Sequence, residues 1–129
     1  MSAAQKLLMD YLAAFTSKQI ESIENLCGTR TVFEIPFVKP ARLIGQAEIM
    51  KAHREIFANL ESIRFELDNC TANTIHAIAV GRFEVVRTGT ERKHFQAGIV
   101  TEIDAGDSQR ISLYCDARNV RPWSDKTIL

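Results

Sequence analysis

The feature that most constrains this chain is a change of hydrophobic period near Ile63. Before it apolar residues recur every three or four positions, the mark of helices with one buried face; after it they alternate, the mark of strands. Ala4, Leu7, Leu8, Tyr11, Leu12 and Phe15 form one stripe and predict a first helix. Ser17 is placed to cap a second, with Ile20, Ile23, Leu26 and Cys27 as its apolar face and Gly28 as a left-handed stop. Thr31 to Phe37, β-branched and aromatic and punctuated by Pro36 and Pro40, predicts a short edge strand. Gly45 opens a third helix whose stripe is Ile49, His53, Ile56, Phe57 and Leu60.

Past the switch, Ile63, Phe65 and Leu67 alternate with Arg64, Glu66 and Asp68. A long strand is predicted from Thr74 to Thr88, a turn at Gly89, and a return from Arg92 to Ile103. The turn Asp104-Ala105-Gly106-Asp107 then leads into a last strand, Gln109 to Arg121. Helices first and an antiparallel meander afterwards predict one α+β domain over residues 1–129, with helices on one face of a curved sheet and a pocket between the layers.

With 46% hydrophobic residues among 129, the chain can build a core. Its 16 basic residues balance 16 acidic ones. It therefore lacks the field that gathers nucleic acid or an anionic membrane surface, and neither is expected as a partner. Charges interrupt each apolar run well short of the roughly 20 residues a spanning helix needs. The amino-terminal stretch lacks a signal-peptide pattern, so a cytoplasmic location is expected. Cys27, Cys70 and Cys115 show neither paired spacing nor a histidine pattern; reduced thiols are expected, with no metal site.

Charges within the strands carry the chemical signal. Arg82 and Glu84 lie two apart, hence on one face, between Ala77–Val80 and Val85–Val86. Buried there they need partners, and Asp116 is the best remote carboxylate. A guanidinium between two carboxylates can split their pKa values, leaving one as proton donor and the other as base toward water. The simpler alternative is a structural salt bridge across the sheet. His53 faces inward on the third helix as a candidate acid or base, and Tyr114 shares a face with Asp116 as a candidate donor. Trp123 is expected at the pocket mouth or in a subunit contact. Strand parity shows apolar residues on both sheet faces, so helices should cover one and a second copy the other, giving a homodimer through the face of Ala77, Ala79, Phe83, Ile111 and Leu113.

The order helix, helix, a strand ending Glu34-Ile35-Pro36, a glycine before the third helix, and long strands closing on Ile111 to Asp116 resembles the SnoaL-like proteins. These belong to the nuclear-transport-factor-like, cystatin-fold superfamily, which includes polyketide cyclases, ketosteroid isomerases and limonene epoxide hydrolase. The resemblance covers about residues 3 to 121 and implies a cone-shaped α+β barrel working without a cofactor. Locally, Arg82-Phe83-Glu84 and the spacing from Ile111 to Asp116 are similar to the acid-Arg-acid triad of limonene epoxide hydrolase. That similarity implies Glu84 as general acid, Asp116 as the base activating water and Arg82 as the bridge. Val32 and Glu34 fall where that family has its water-orienting Tyr and Asn, which leaves Glu34 as a further acceptor. Tyr11 falls at the oxyanion-hole tyrosine of ketosteroid isomerases, while Ile35 and Ile99 replace that family's carboxylates. The expectation is a cofactor-independent enzyme for a small apolar molecule, most concretely epoxide-hydrolase-like. The alternatives are a non-catalytic ligand-binding module, or a polyketide cyclase or isomerase on the same fold.

Overall fold

The computed structural model describes residues 1–36, 38, 41–87, 89, 92–104, 108–120 and 123. Its elements are α1 (Ala3–Thr16), α2 (Ile20–Leu26), β1 (Thr31–Glu34), β2 (Arg42–Ile44), α3 (Gln46–Asn59), β3 (Leu60–Ala72), β4 (His76–Arg87), β5 (Arg92–Asp104), β6 (Ser108–Tyr114) and a short α4 (Ala117–Val120). The strands form one sheet in the order β2-β1-β6-β5-β4-β3. Every pairing is antiparallel except β1 with β6, which is parallel. This is the α+β architecture that the period switch predicts, with helices gathered on one sheet face.

The two long helices form where the stripes place them. Ser2 caps α1 through its side chain, which accepts from the Gln5 N–H, and Gly45 begins α3 at a φ of 89°, which a side chain would strain. In α1 the stripe Ala4, Leu7, Leu8, Tyr11, Leu12 and Phe15 is buried; in α3 so are Ile49, His53, Ile56 and Phe57. They cover Ala77, Ala79, Phe83 and Val85 of β4 and Phe95, Ala97 and Ile99 of β5, and Ile111 and Leu113 of β6 belong to the same buried cluster.

Two irregularities bend the sheet around this core. The β3–β4 register shifts between Leu60 and Ser62 and again between Leu67 and Asn69. At the second bulge Gly81 faces Leu67, and a Cβ there would collide with the Glu66 carbonyl oxygen and lie 2.7 Å from the Phe65 ring. Only a glycine lets the strands approach so closely, and the bulge adds the twist that curves them.

Several boundaries differ from expectation. Ser17 ends α1 rather than starting α2: its hydroxyl donates to the Ala13 carbonyl at 2.6 Å. Helix α2 ends at Cys27 in extended geometry, and Gly28 does not take a left-handed turn. Strand β1 is not an edge, because β2, unmarked in the hydrophobic pattern, pairs outside it. The last strand stops at Tyr114, where Asp116 accepts from the Arg118 N–H at 3.0 Å and starts α4. Phe37, Pro40, Thr88, the turn residues 105–107 and Arg121 lie outside the described residues.

One correction concerns which sheet face a partner could use. The face of Ala77, Ala79, Phe83, Ile111 and Leu113 lies beneath the chain's own helices. The open face carries Ile78, Val80, Arg82 and Glu84 of β4, His94 and Gln96 of β5, and Tyr114 of β6. No helix of the described chain is long and apolar enough to cross a membrane.

Candidate functional site

The inner face of the sheet is built from rings. Register places Phe65 opposite Phe83 and Phe83 opposite Phe95, giving an aromatic row across β3, β4 and β5. Its centroids are 4.8 and 5.5 Å apart. Phe15 of α1 lies over this row, 5.9 Å from Phe83, and touches Trp123 at 5.7 Å. On its other side Phe15 stacks on Tyr11 at 5.6 Å, and Tyr11, Phe33 and Phe57 surround His53. Trp123 completes the box against Phe83 and Phe95, its backbone carbonyl accepting from the Asn59 side-chain amide at 3.1 Å.

One polar chain threads this box. The His53 Nδ1–H donates to the Ile49 carbonyl at 2.8 Å, the usual spacing of one helical turn, so the neutral ring carries its other lone pair on Nε2. Tyr11 Oη lies 2.8 Å from that nitrogen and donates its proton to it. Burial pushes the His53 pKa down to about 4, against a smaller upward effect of the Ile49 hydrogen bond. Burial, with the nearby Cys27 thiol, pushes Tyr11 well above the ordinary phenol range. At neutral pH the pair is therefore an uncharged phenol bound to an uncharged imidazole. The free lone pair of Tyr11 Oη remains an acceptor. Tyr11 and His53, 42 residues apart in sequence, are the two candidate site residues that the fold joins in its interior.

The charged trio stands elsewhere. Arg82 and Glu84 project from the open face, because strand parity opposes them to the buried Gly81, Phe83 and Val85, while Asp116 stands beyond the end of β6 at the start of α4. Arg82 pairs with Glu66 at 3.1 Å, Glu84 with Arg92 at 3.2 Å and His94 at 3.7 Å, and Asp116 with Arg118 at 2.6 Å. The side chains of Arg82 and Asp116 are 49% and 45% exposed. Strand β5 separates β4, which carries Arg82, from β6, beyond whose end Asp116 lies. The expectation that Arg82 bridges two internal carboxylates is thus corrected: the fold brings none of the three into the box. Arg82 and Glu84 instead line an open groove of about 280 Å³ with Arg64, Phe65 and Glu66.

Glu34 and Tyr114 are also on the open face. Glu34 is bound by Arg42 at 3.2 Å, Arg110 at 3.5 Å and the Ser112 hydroxyl at 3.1 Å, and Tyr114 is exposed. The three cysteines are free thiols, with burial raising Cys27 and Cys115 to about 11. Among the described residues no cluster of His, Cys, Asp and Glu could hold a metal ion.

The SnoaL-like domain profile matches residues 8–111, most of the chain. This chain belongs to the SnoaL-like domain family. No curated protein matches it by sequence. Among solved structures, an NTF2-like protein of unknown function from Burkholderia pseudomallei superposes with a TM-score of 0.80 at 11% identity, covering 98% of this chain and all of that one. An LEH-like epoxide hydrolase of M. tuberculosis gives 0.73 at 15% identity, over 92% of this chain and 86% of its own. A protein of ketosteroid isomerase-like fold from Catenulispora acidiphila, in complex with trimethylamine, gives 0.72 at 11%, over 100% and 92%. At such identities the likeness is one of fold and carries no activity over to this chain.

The aromatic box has a sequence signal that the charged trio obscured. In Ala77-Ile78-Ala79-Val80-Gly81-Arg82-Phe83-Glu84-Val85, the odd positions are uniformly apolar and the even ones are not. The odd face is therefore the dry one.

Proposed function

We propose that this SnoaL-like domain binds a small, apolar, ring-containing molecule between its helices and its sheet, and that binding rather than acid–base turnover is its main activity. The observation that carries the reading is the aromatic box itself: rings of Phe15, Phe33 and Phe57 around the Tyr11–His53 pair, continued beyond Phe15 by Phe83, Phe95 and Trp123. Pockets for small molecules have this make-up, mostly aromatic lining with few fixed polar atoms. Titration of the 15N-labelled protein with indane tests it. Saturable shifts should be confined to inner-face amides such as Ala79, Phe83, Ala97 and Ile99. Shifts confined to the open face, or none at millimolar indane, would overturn it.

A second reading, an isomerase- or cyclase-type enzyme, is favoured by the 2.8 Å Tyr11–His53 contact. A substrate proton could pass to Tyr11 Oη as the phenolic proton moves to His53 Nε2. The low basicity of His53 weakens that relay. Tyr11→Phe separates the readings, since turnover would be lost with binding kept. Epoxide hydrolysis through Arg82, Glu84 and Asp116 would need these side chains to leave their present ion pairs and enter the box.

The partner we infer for the open face is a second copy of this chain. Ile78, Val80 and Tyr114 there are 42%, 44% and 47% exposed and adjoin Gly98 and Val100. Contiguous apolar surface of this kind marks an interface. At one end it is flanked by Glu34, Arg42, Glu102 and Arg110, at the other by Arg82, Glu66, Glu84 and His94. Both ends carry both signs, so a copy can dock without like charges meeting. Sedimentation at tens of micromolar should show a dimer, and Ile78→Lys with Val80→Lys a folded monomer. A monomeric parent protein would refute the assembly.

A further inference from the structure

Among the described residues, the buried polar side chains of this interior are satisfied with one exception. Tyr11 and His53 bind each other and the Ile49 carbonyl, the Thr101 hydroxyl donates to the Ala4 carbonyl at 2.7 Å, the Thr31 hydroxyl accepts from the Gly28 N–H at 2.8 Å, and Ser112 donates to Glu34. Among the described residues, Trp123 Nε1 alone is buried without a hydrogen-bond partner. Leaving a buried donor without its hydrogen bond is costly, and native interiors seldom do so without a reason. A phenylalanine would fill the box with no such penalty.

The position of the orphan donor is specific. The indole is almost wholly buried and packs on Phe15, Phe83 and Phe95, the half of the box away from His53. Asn59 holds its backbone at the end of α3. Phe15 stands between the indole and Tyr11, touching both. The box therefore offers a fixed donor on one side of Phe15 and the Tyr11 acceptor on the other.

We propose that Trp123 Nε1 is the anchor of a ligand subsite that takes a hydrogen-bond acceptor, a carbonyl or ether oxygen, carried on an aromatic ring. This rests on the binding reading above and narrows it from any apolar ring to one bearing an acceptor oxygen. The indole N–H can donate only, so it selects against a bare hydrocarbon and gives a phenolic proton no acceptor. Seating the oxygen there replaces an unmade bond by a made one, which favours the oxygenated ligand by about fivefold or more.

The test compares 1-indanone with indane, which differ by that oxygen. Both are titrated by calorimetry into the full chain and into Trp123→Phe. The ratio of indanone to indane affinity should fall at least fivefold on substitution, whatever change in ring packing the two ligands share. An unchanged ratio, with both ligands bound, overturns the subsite and leaves the binding reading intact. If neither ligand binds the parent protein, both fail. Should Trp123→Phe not fold, the parent chain still decides, because its one tryptophan gives a single indole N–H resonance. Indanone should move that proton downfield to saturation, and indane should not; equal shifts overturn the proposal.

Discussion

The two faces of one sheet are made from alternate residues of the same strands, yet they hold opposite chemistries. On β4, Phe83 is sealed under α1 while its neighbours Arg82 and Glu84 face outward in ion pairs. Helices supply apolar area on one side only, so each strand sorts its residues by parity. The difference teaches where to look for function: a charge in a strand is a site candidate only if its parity turns it inward. Here the inward polar groups include Tyr11, His53, Trp123, Thr31 and Thr101, and none of them is charged at neutral pH.

Substitutions of matched kind on the two faces sharpen this contrast. The largest expected effect is that of Phe83→Ala, which empties a position touching Phe15, Phe65, Phe95 and Trp123. It should lower unfolding free energy by about 3–5 kcal/mol in urea titrations. Arg82→Ala, one residue away, should stay within about 1 kcal/mol.

Acid should break the inner face next. The unfolded chain protonates histidine near 6.5, whereas folded His53 does so at about 4. Between these values the unfolded state binds more protons, so stability is full above the first and is lost as pH falls toward the second. The slope approaches about 1.4 kcal/mol per pH unit, and Tyr11 and Cys27 beside it stay protonated throughout. Urea midpoints measured from pH 7 to 4 should show this slope, and His53→Gln should flatten it. An unchanged profile in His53→Gln would place the sensitivity in other groups.

A smaller loss, about 1–3 kcal/mol, is expected for Tyr11→Phe, which leaves His53 Nε2 without its donor. Removing both partners in Tyr11→Phe with His53→Leu should be milder than the sum of the single losses, a coupling that a double-mutant cycle measures. Smallest of all is Asp116→Asn. Asparagine caps a helix as well as aspartate does, so thermal unfolding should move by less than the spread of repeat scans, and indane binding should not change.

The helices, their buried stripes and the meander were legible in the sequence because hydrophobic period follows directly from backbone geometry. What escaped were features set by tertiary partners. Strand β2, only three residues long, has no period to read and exists because β1 pairs with it. Asp116 reads as the continuation of a strand until its carboxylate takes the Arg118 N–H and turns the chain into α4. For the site, Tyr11 and His53 could each be placed on an inward stripe, but their contact depends on how α1 crosses α3. Arg82 and Glu84 drew attention because they stand among apolar neighbours; the neighbours are apolar partly because the open face itself carries Ile78 and Val80.

The parallel joint between β1 and β6 also bears on the order in which this molecule assembles. From β3 to β6 each strand pairs with the next in sequence, so that half can form from hairpins with short loops to close. Thr31 and Gln109, by contrast, are 78 residues apart and meet only when the chain has come back on itself. Phe33, on the same short strand, is a wall of the box around His53. The interior is thus sealed by the pairing that has the longest stretch of chain to close, and amide exchange at Thr31–Glu34 should outpace that of β4 and β5.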